Sequence, residues 1–506
     1  MHLASFVKPA LVCAGLSTAS LGFCWGFDWA NNTTEDLATH IFELVVDAYE
    51  RTYGTGIGGT WKPSAETADT CTWKFFNTGR LFYDTTDFKN RQTPLRDKGV
   101  DCVTPGDGRL YIASHVGTVA LPAVMQDPDN VPLGYEDIGV RRFDISNPNV
   151  DPSSRTDKLL TDFAAYSTWT ASTQRPSAMA AIANTDYVVV VGSREYAVGQ
   201  VSNYDCLTVL WKRDHSTATA YTGGCNNTDY EVGARVITNG NIVYVVGIWE
   251  NAAGTDSRFL VQRYDYASGA LTLNWSNKFD FGAAEGVHDI ALCDGNLVIA
   301  GQYIPSGGDN LDSVAFVVNS SGSQVGSHTF AASAPIGYRD DFFKDVESYG
   351  TNIFLLGQTR HSTSGREMIR MSKHGSTLGT PTASVEFGSA VYGDDPGELA
   401  INSTNVYASV LCRDMTFVPA PGGIGDIEKD IYSYYVRKYD LNLSAGSMDE
   451  TSHDQAGWYQ GTDYISYAQL SLGVTVNYAL GTSHYNANAY PTSADMWYAR
   501  TRKFAK

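Results

Sequence analysis

Short segments in which apolar and polar residues alternate recur along most of the chain, and each begins at a turn that contains glycine, asparagine or aspartate. Alternation with a period of two is typical of β-strands. One phrase, a turn followed by a strand rich in β-branched residues, has about seven copies, and the central copies lie roughly 55 residues apart. The copies read GDGRLYIAS from Gly106, NTDYVVVVG from Asn184, NGNIVYVVG from Asn239, DGNLVIAG from Asp294, GTNIFLLG from Gly350, STNVYASV from Ser403 and GVTVNYALG from Gly473.

A second alternating strand follows each copy after a variable loop. Each pair of strands and the turns around it leave room for four antiparallel strands per copy. Such a sheet is apolar on both faces, so it needs a neighbour on each side, and a closed ring of sheets supplies both. The second strands read GVRRFD to Asp144, LTVLWKRD to Asp214, FLVQRYD to Asp265, VAFVVN to Asn319, EMIRMSKHG to Gly375, YYVRKYD to Asp440 and WYARTRKF to Phe504.

The two ends of the repeat array predict how the ring closes. The last copy stops at Lys506 without an outer strand, and residues 72–79 (TWKFFNTG) are similar to the outer strand NWSNKFDFG from Asn274. The chain therefore resembles the β-propeller superfamily, especially bacterial seven-bladed repeat proteins of extracellular type. The fold class predicted for residues 71–506 is all-β, a seven-bladed propeller of four-stranded antiparallel blades closed by an N-terminal strand.

Residues 1–70 are predicted to be a separate segment with an amphipathic helix, DLATHIFELVVDAYERTYG from Asp36, which ends at Gly54. The helix resembles short helices near the start of some bacteriophage virion proteins. It either docks on a partner chain or packs against the wall of the propeller. Residues 9–27 are apolar and follow Lys8, as in a secretory signal, and cleavage there stays open. The predicted docking residues are Leu37, Ile41, Leu44 and Tyr49.

The composition of the chain limits the classes of partner and site that are expected. The net charge of −19 would repel a nucleic acid, and apart from the apolar start no stretch approaches the length of a membrane span. None of the eight cysteines forms a CxxC pair, which argues against zinc ribbons and thioredoxin-type redox sites. Cys206 and Cys225 flank one strand and its turn, so they either pair in an oxidising compartment or remain free thiols.

Two groups of residues are candidates for binding. The loops between second and third strands are long and carry aromatic side chains among small polar residues, a composition typical of recognition surfaces or of tolerated insertions. Acids also recur where three inner strands begin, namely Asp289, Asp345 and Glu398. They either hold a cation or a basic ligand at the channel mouth or cap backbone N–H groups. The aromatic candidates are Trp249, Tyr303, His361, Phe417, Tyr485 and Tyr490.

No GxSxG, HExxH, Walker or GxGxxG pattern stands in a suitable context, so neither catalysis nor a cofactor is expected. The predicted function is a non-enzymatic structural or binding propeller in a virion, such as a phage tail or appendage. There it would contact other virion proteins or copies of itself. The first alternative is a secreted or cell-surface bacterial propeller that binds glycan or protein. The second is a propeller hydrolase or lyase that uses channel acids.

Overall fold

In the residues that the structure describes, the protein consists almost entirely of β-strands. The computed structural model describes residues 27–32, 38–47, 51–62, 65–75, 81–84, 97–117, 136–147, 152–195, 204–223, 229–306, 308, 310–331, 341–360, 367–388, 393–419, 426–444, 449–450, 461–465, 469–472, 477–488 and 496–505. Two short 3₁₀ helices also occur, at Leu160–Asp162 and Ala164–Ala171.

The strands pair with their sequence neighbours into successive antiparallel sheets. The first strand, β1, spans Phe27–Asn32. Sheet 1 contains β2 (Ala38–Val46), β3 (Thr52–Lys62), β4 (Ala65–Phe75) and β5 (Leu81–Asp84). Sheet 2 contains β6 (Asp97–Val103), β7 (Arg109–Gly117), β8 (Glu136–Asp144) and β9 (Ser153–Leu159). Sheet 3 contains β10 (Gln174–Ala181), β11 (Tyr187–Glu195), β12 (Tyr204–Lys212) and β13 (Ala218–Tyr221). Sheet 4 contains β14 (Tyr230–Asn239), β15 (Ile242–Glu250), β16 (Ser257–Ala267) and β17 (Ala270–Phe279).

The second half of the chain repeats this arrangement. Sheet 5 contains β18 (Glu285–Cys293), β19 (Asn296–Tyr303), β20 (Asp312–Val318) and β21 (Gln324–Phe330). Sheet 6 contains β22 (Phe342–Tyr349), β23 (Asn352–Arg360), β24 (Glu367–Gly375) and β25 (Ala383–Phe387). Sheet 7 contains β26 (Gly393–Ile401), β27 (Asn405–Pro419), β28 (Asp426–Asp440) and β29 (Asp449–Glu450). Sheet 8 contains β30 (Gly461–Ile465), β31 (Gln469–Leu472), β32 (Asn477–Asn488) and β33 (Met496–Ala505), with β1 beside β33.

Each sheet packs against the next, and the last packs against the first, which makes the fold a β-propeller. Contacts run from β2 to β6, from β6 to β10 and onward through β14, β18, β22 and β26 to β31, and β2 also contacts β31, β32 and β33. The apolar core lies between neighbouring sheets: Tyr244 and Phe259 of sheet 4 pack with Leu297 and Phe316 of sheet 5. Both faces of a sheet are thereby buried, as the alternating pattern predicts.

The recurring phrase corresponds to the second strand of sheets 2 to 8, and the glycine that ends most copies has a steric cause. Each inner strand from β2 to β26 bulges at the same point of its pairing with the second strand. There the two backbones approach so closely that a Cβ at Gly192 would overlap the carbonyl oxygen of Arg175, and one at Gly301 that of Gly286. Glycine is therefore needed opposite the bulge at these two places, and in sheet 2 the equivalent place is taken by Ser114 rather than glycine.

The predicted count of seven blades is not confirmed, because the described residues pair into eight sheets. The additional sheet is sheet 1, and it replaces the predicted helix. Residues of that helix form β2, in which Ile41 and Leu44 take part in the backbone pairing with β3. Thr39, Ile41, Val45 and Val46 are β-branched and favour a strand. The helix prediction is therefore wrong, and Leu37 and Tyr49 lie outside the described residues.

Closure by an N-terminal strand is confirmed, but the strand differs from the predicted one. Residues 72–75 belong to β4, between β3 and β5, so the predicted closure through residues 72–79 is wrong. Instead, β1 pairs with β33, with Phe27 opposite Phe504. The predicted boundary between residues 70 and 71 falls inside β4.

Candidate functional site

Charged residues line the centre of the ring at a position that the bulges define. The residue directly after the bulge occupies an equivalent place on each inner strand, and in five of the seven bulged strands it is charged. A bulge redirects the side chains that follow it, so these residues form a band around the central channel. They are Glu43, Asp101, Arg235, Asp289 and Asp345.

Three of these acids link neighbouring sheets. Asp101 accepts a hydrogen bond from the backbone N–H of Met179 in sheet 3, with an N···O distance of 2.6 Å. The carboxylate of Asp289 accepts one from Val346 in sheet 6, at 3.2 Å. In the same way Asp345 accepts one from Leu399 in sheet 7. The acids therefore cap backbone N–H groups of the next inner strand, and Asp101 also accepts a hydrogen bond from Cys102 on its own strand, at 2.6 Å.

The channel wall of sheets 5, 6 and 7 concentrates negative charge. We call Asp289, Asp345, Glu347 and Glu398 the channel cluster. Burial, the charge of Asp289 and a hydrogen bond with it raise the pKa of Asp345 well above its usual range, and Glu398 and Glu347 add to the shift. Hydrogen bonding between two carboxyl groups requires that they share a proton. The side chain of Glu347 is exposed to the channel, yet loss of solvation together with Asp289 and Glu398 raises its pKa to about 7.

Cations lie at one end of this cluster. Arg235 is 3.9 Å from Asp289, and its charge also acts on Asp101, whose pKa burial raises to about 6. His288 is the bulged residue of β18, and burial is the main reason that its pKa falls to about 4. Its Nε2 lies 3.1 Å from the side-chain oxygen of Gln302. Lys344 of β22 is a further cation here, and its charge also lowers the pKa of His288.

Asp289, Asp345 and Glu398 were the predicted metal candidates. In the part of the chain that the structure describes, no three histidine, cysteine, aspartate or glutamate side chains are grouped so that they would hold a metal ion. Asp289 and Asp345 each direct one oxygen to a backbone N–H, which leaves fewer oxygens for coordination. The cluster is better suited to a group that needs only a few acceptors, such as an ammonium or guanidinium ion.

The predicted aromatic surface is only partly described. Trp249 ends β15, where its indole N–H donates to Asp229 at 2.8 Å and Lys278 lies 4.0 Å from its ring centroid. Tyr303 ends β19, and its ring packs against Phe281. Both side chains are half-buried with partners inside the protein. Phe417 and Tyr485 lie in β27 and β32, of whose side chains nothing is described there, and His361 and Tyr490 lie outside the described residues.

Sequence reasoning missed a charged cluster on the loop side of sheets 2 and 3, which we call the arginine cluster. Nε of Arg175 in β10 donates to Glu136 of β8 at 2.5 Å, and Nδ1 of His115 lies 3.8 Å from the same carboxylate oxygen. Although burial acts to raise it, the pKa of Glu136 is lowered by His115 and Arg175. Nothing in the local sequence pairs these residues, which come from three strands.

Two tyrosines extend the arginine cluster toward sheet 4. The rings of Tyr204 and Tyr230 pack edge to face, with centroids 5.0 Å apart. Burial raises the pKa of Tyr204, and Glu195, which accepts its hydroxyl hydrogen bond, raises it further. His115, Glu136, Arg175 and Tyr204 each have a partner of opposite charge or a hydrogen bond, and Tyr230 packs on Tyr204, so the cluster joins sheets 2, 3 and 4.

Cys206 is in no disulfide, and its buried thiol lies 3.8 Å from the side-chain oxygen of Gln262. Burial is the main reason that its pKa is raised out of the physiological range. Cys293 is likewise free and buried, whereas Cys225 lies outside the described residues. Buried thiols of this kind pack as small apolar side chains.

Comparisons with known proteins find likeness in fold but not in sequence. No family model matches the chain, and no curated protein matches it. Sqt1 from Chaetomium thermophilum is 10% identical over 92% of this chain and 96% of its own, with a TM-score of 0.46. Kuenenia stuttgartiensis hydrazine synthase is 10% identical over 74% of this chain and 94% of its own, with a TM-score of 0.43. The β-propeller domain of the trilobed protease from Pyrococcus furiosus is 8% identical over 79% of this chain and 93% of its own, with a TM-score of 0.37.

Within the described residues, no helix combines the length and apolar character needed to cross a bilayer. The propeller fold itself is shown by the pairing and packing of this chain's own sheets.

Proposed function

We propose that this protein is a non-enzymatic recognition propeller that binds a cationic side chain of a partner protein in its central channel. The observation that carries the proposal is the channel cluster, in which four carboxyl groups lie on three consecutive inner strands. Burial is the main cause of the raised pKa values of Asp345 and Glu347, and the negative potential of Asp289 and Glu398 adds to both shifts. A cation that enters the channel would lower this potential, and its binding would be favoured for that reason.

The accessible members of the cluster define what can bind. Glu347 is exposed to the channel and Asp289 is partly exposed, whereas Asp345 is buried and contributes mainly its charge. Two or three carboxylate oxygens suit a lysine ammonium or an arginine guanidinium. Ca²⁺ requires six to eight oxygen ligands. A basic side chain of a protein therefore fits the site better than a metal ion.

Hydrolysis is the second candidate, and one observation favours it. Asp289 and Asp345 share a hydrogen bond, and a pair of carboxyl groups with one shared proton is an arrangement that acid–base catalysts use. Against it, Asp345 is buried and accepts the N–H of Leu399, so its proton is poorly placed to reach a substrate. Turnover of glycoside or ester substrates that Asp345→Asn abolishes would establish this second function.

The setting of the protein is part of the proposal. A virion in which the propeller contacts other virion proteins or copies of itself, or a secreted propeller that binds protein or glycan, would each present the channel to a partner. Because residues 38–46 form a strand of the ring, the docking helix no longer supports the virion setting. We therefore place the partner contact in the channel.

Titration of the purified protein with a pentalysine peptide at low ionic strength tests the proposal. We expect Glu347→Gln to weaken the peptide's affinity at least about fivefold, equivalent to about 1 kcal/mol. The control is Glu250→Gln, which removes the same charge at the end of β15. This control should bind the peptide like the wild type, because Glu250 is not part of the channel cluster. If only a general attraction to the net charge held the peptide, both variants would weaken its binding equally.

Separate titrations with Ca²⁺ and with pentalysine distinguish the ligands. Binding of Ca²⁺ that Glu347→Gln removes, without binding of the peptide, would overturn the choice of a protein partner. Equal affinity of the wild type and both variants for the peptide would overturn the channel as the binding site.

A further inference from the structure

The joint between sheets 5 and 6 brings two histidine rings together. The outer strand of sheet 5, β21, packs on the third strand of sheet 6, β24. The rings of His328 and His374 lie with centroids 4.5 Å apart. Beside them, the guanidinium carbon of Arg370 lies 3.9 Å from the ring centroid of Phe330. We call these four residues the histidine joint.

The strands of the joint fit closely. On β21, His328 and Phe330 alternate with exposed residues and face sheet 6. At Gly326 a Cβ would overlap the carbonyl oxygen of Thr377 in the turn after β24, so the backbones meet there without a gap. A small separation of the sheets would therefore affect all of these contacts at once.

Hydrogen bonds hold His374 in its neutral form. The ring is fully buried, and its Nδ1 lies 2.9 Å from the carbonyl oxygen of Gly379, so Nδ1 must carry the proton. Nε2 then accepts a hydrogen bond from the hydroxyl of Ser372, also at 2.9 Å. Protonation of Nε2 would require that hydroxyl to turn round. The buried Nε2 of His328 has no hydrogen-bond partner among the described residues. An N–H at this atom in the protonated ring would therefore find no acceptor.

The charges that act on the pair are positive. Each ring is a cation once protonated, and Arg370 on the same face of β24 acts on both. Arg370 is paired with Glu386 of β25, at 2.7 Å. Lys373 lies on the other face of β24 and contacts Asn442. From β22, the apolar ring of Phe343 faces His328. In the described part of this joint, no carboxylate contacts either histidine.

We propose that the histidine joint is an acid-sensitive contact that holds sheets 5 and 6 together while both rings are neutral and loosens when they are protonated. Two imidazolium ions in contact would repel each other in a buried site. Because one joint among eight would open while the others remain packed, the ring would gain flexibility locally without unfolding. A partner bound across sheets 5 and 6 would then be released by mild acid.

The direction of the pH dependence follows from the folded state. Burial lowers the pKa of His374 to about 4 and also lowers the pKa of His328, in both cases with help from neighbouring cations. The unfolded or opened state, with a histidine pKa near 6.5, takes up protons first. Stability of the joint is therefore complete above about pH 6.5 and decreases as the pH falls toward 4.

Hydrogen exchange followed by mass spectrometry tests this proposal, with intrinsic exchange rates corrected for pH. We expect exchange in peptides that cover 324–330 and 367–375 to accelerate at least about tenfold between pH 7.4 and pH 5, while sheets 2 and 3 remain protected. His328→Phe keeps an aromatic ring but removes the second charge, so the acceleration should be smaller than in the wild type, with the share that comes from His374 remaining.

His115→Gln is the matched control, because this histidine lies in sheet 2, and it should leave the acceleration unchanged. Equal protection of both peptides at the two pH values would overturn the proposal. So would simultaneous loss of protection in every sheet, which indicates global unfolding. Selective isotope labelling of histidine gives an independent measurement should His328→Phe fail to fold. In that case a wild-type pKa above 6.5 for either His328 or His374 would also overturn it.

Discussion

The channel cluster and the arginine cluster both consist of ionisable groups on strands of neighbouring sheets, yet the pKa values of their carboxyl groups are shifted in opposite directions. In the channel cluster, burial and like charges raise the pKa values of Asp345 and Glu347. In the arginine cluster, His115 and Arg175 lower the pKa of Glu136 although burial opposes them. The first cluster destabilises its own charges, and the second stabilises them.

This contrast separates a candidate binding region from a structural one. A cluster whose charges are balanced gains little from a ligand, because each group already has its partner. An unbalanced cluster gains from any counter-charge that enters it. Burial alone does not make the distinction, since both clusters contain buried carboxyl groups.

Removal of the cation from the balanced cluster should have the largest effect. Arg175→Met leaves the carboxylate of Glu136 buried with only His115 nearby, and we expect the free energy of unfolding to fall by about 2–4 kcal/mol. Chemical denaturation at neutral pH measures this. Arg258→Met is the control, since its partner Asp256 is partly exposed, and it should cost less than about 1 kcal/mol. Equal losses in the two variants would remove the contrast between the clusters.

Two substitutions of Asp289 should separate its hydrogen bond from its charge. Asp289→Ala removes the acceptor of the Val346 N–H and should cost about 1–2 kcal/mol. Asp289→Asn retains an acceptor oxygen and removes a charge that opposes Asp345, so its stability should stay within about 0.5 kcal/mol of the wild type. Denaturation curves for both variants test this. A loss of stability in Asp289→Asn as large as that in Asp289→Ala would show that the charge itself stabilises the fold.

The smallest expected effect is the change in folding stability with pH, and this change has opposite signs in the two clusters. Because the pKa of Glu347 is raised to about 7, its folded form binds more protons than its unfolded form between about pH 4.5 and 7, and its ionisation lowers stability as the pH rises. Glu347→Gln should therefore increase stability at pH 8 by no more than about 1 kcal/mol, since water in the channel screens the charge. At pH 4.5 the variant and the wild type should unfold alike.

Glu136→Gln is the counterpart from the balanced cluster. The folded pKa of Glu136 is lowered, so its carboxylate contributes stability above about pH 4.5, and that contribution is lost on acidification. Glu136→Gln should accordingly lower stability at neutral pH, most strongly above pH 5. A fall in stability at pH 8 in Glu347→Gln would show that the channel carboxylate is balanced after all.

The strands and the propeller were predictable because the repeat reports them many times. Seven bulged inner strands impose the same glycine or small residue opposite each bulge, so copies such as those ending at Gly192, Gly247 and Gly301 resemble one another. The repeat pattern did not predict sheet 1, because its second strand, TYGTGIGGTWK from Thr52, lacks the β-branched run of the other copies. Its inner strand has apolar residues at spacings that also fit a helix, and only pairing with β3 decides between the two structures.

The candidate sites were less predictable. Asp289 and Asp345 recur at one position of the repeat, so the sequence pointed to them, although their hydrogen bonds to the next sheet depend on how sheets pack. Arg175 and Glu136 are 39 residues apart and occupy no repeated position. Such a pair arises only when the loops of two sheets meet, and a single sequence carries no periodic signal for it.

The pairing of β1 with β33 also affects how a newly made chain reaches its native state. Phe27 must find Phe504, so β1 stays unpaired until β33, which lies beyond all the other strands of the ring, has been synthesised. Sheets 1 to 7 each pair neighbouring segments and can form as the chain emerges, whereas sheet 8 requires a contact across nearly the entire sequence. Until that contact forms, β33 presents an unpaired edge to other chains. During synthesis, the last sheet is therefore where two nascent copies would most readily exchange strands.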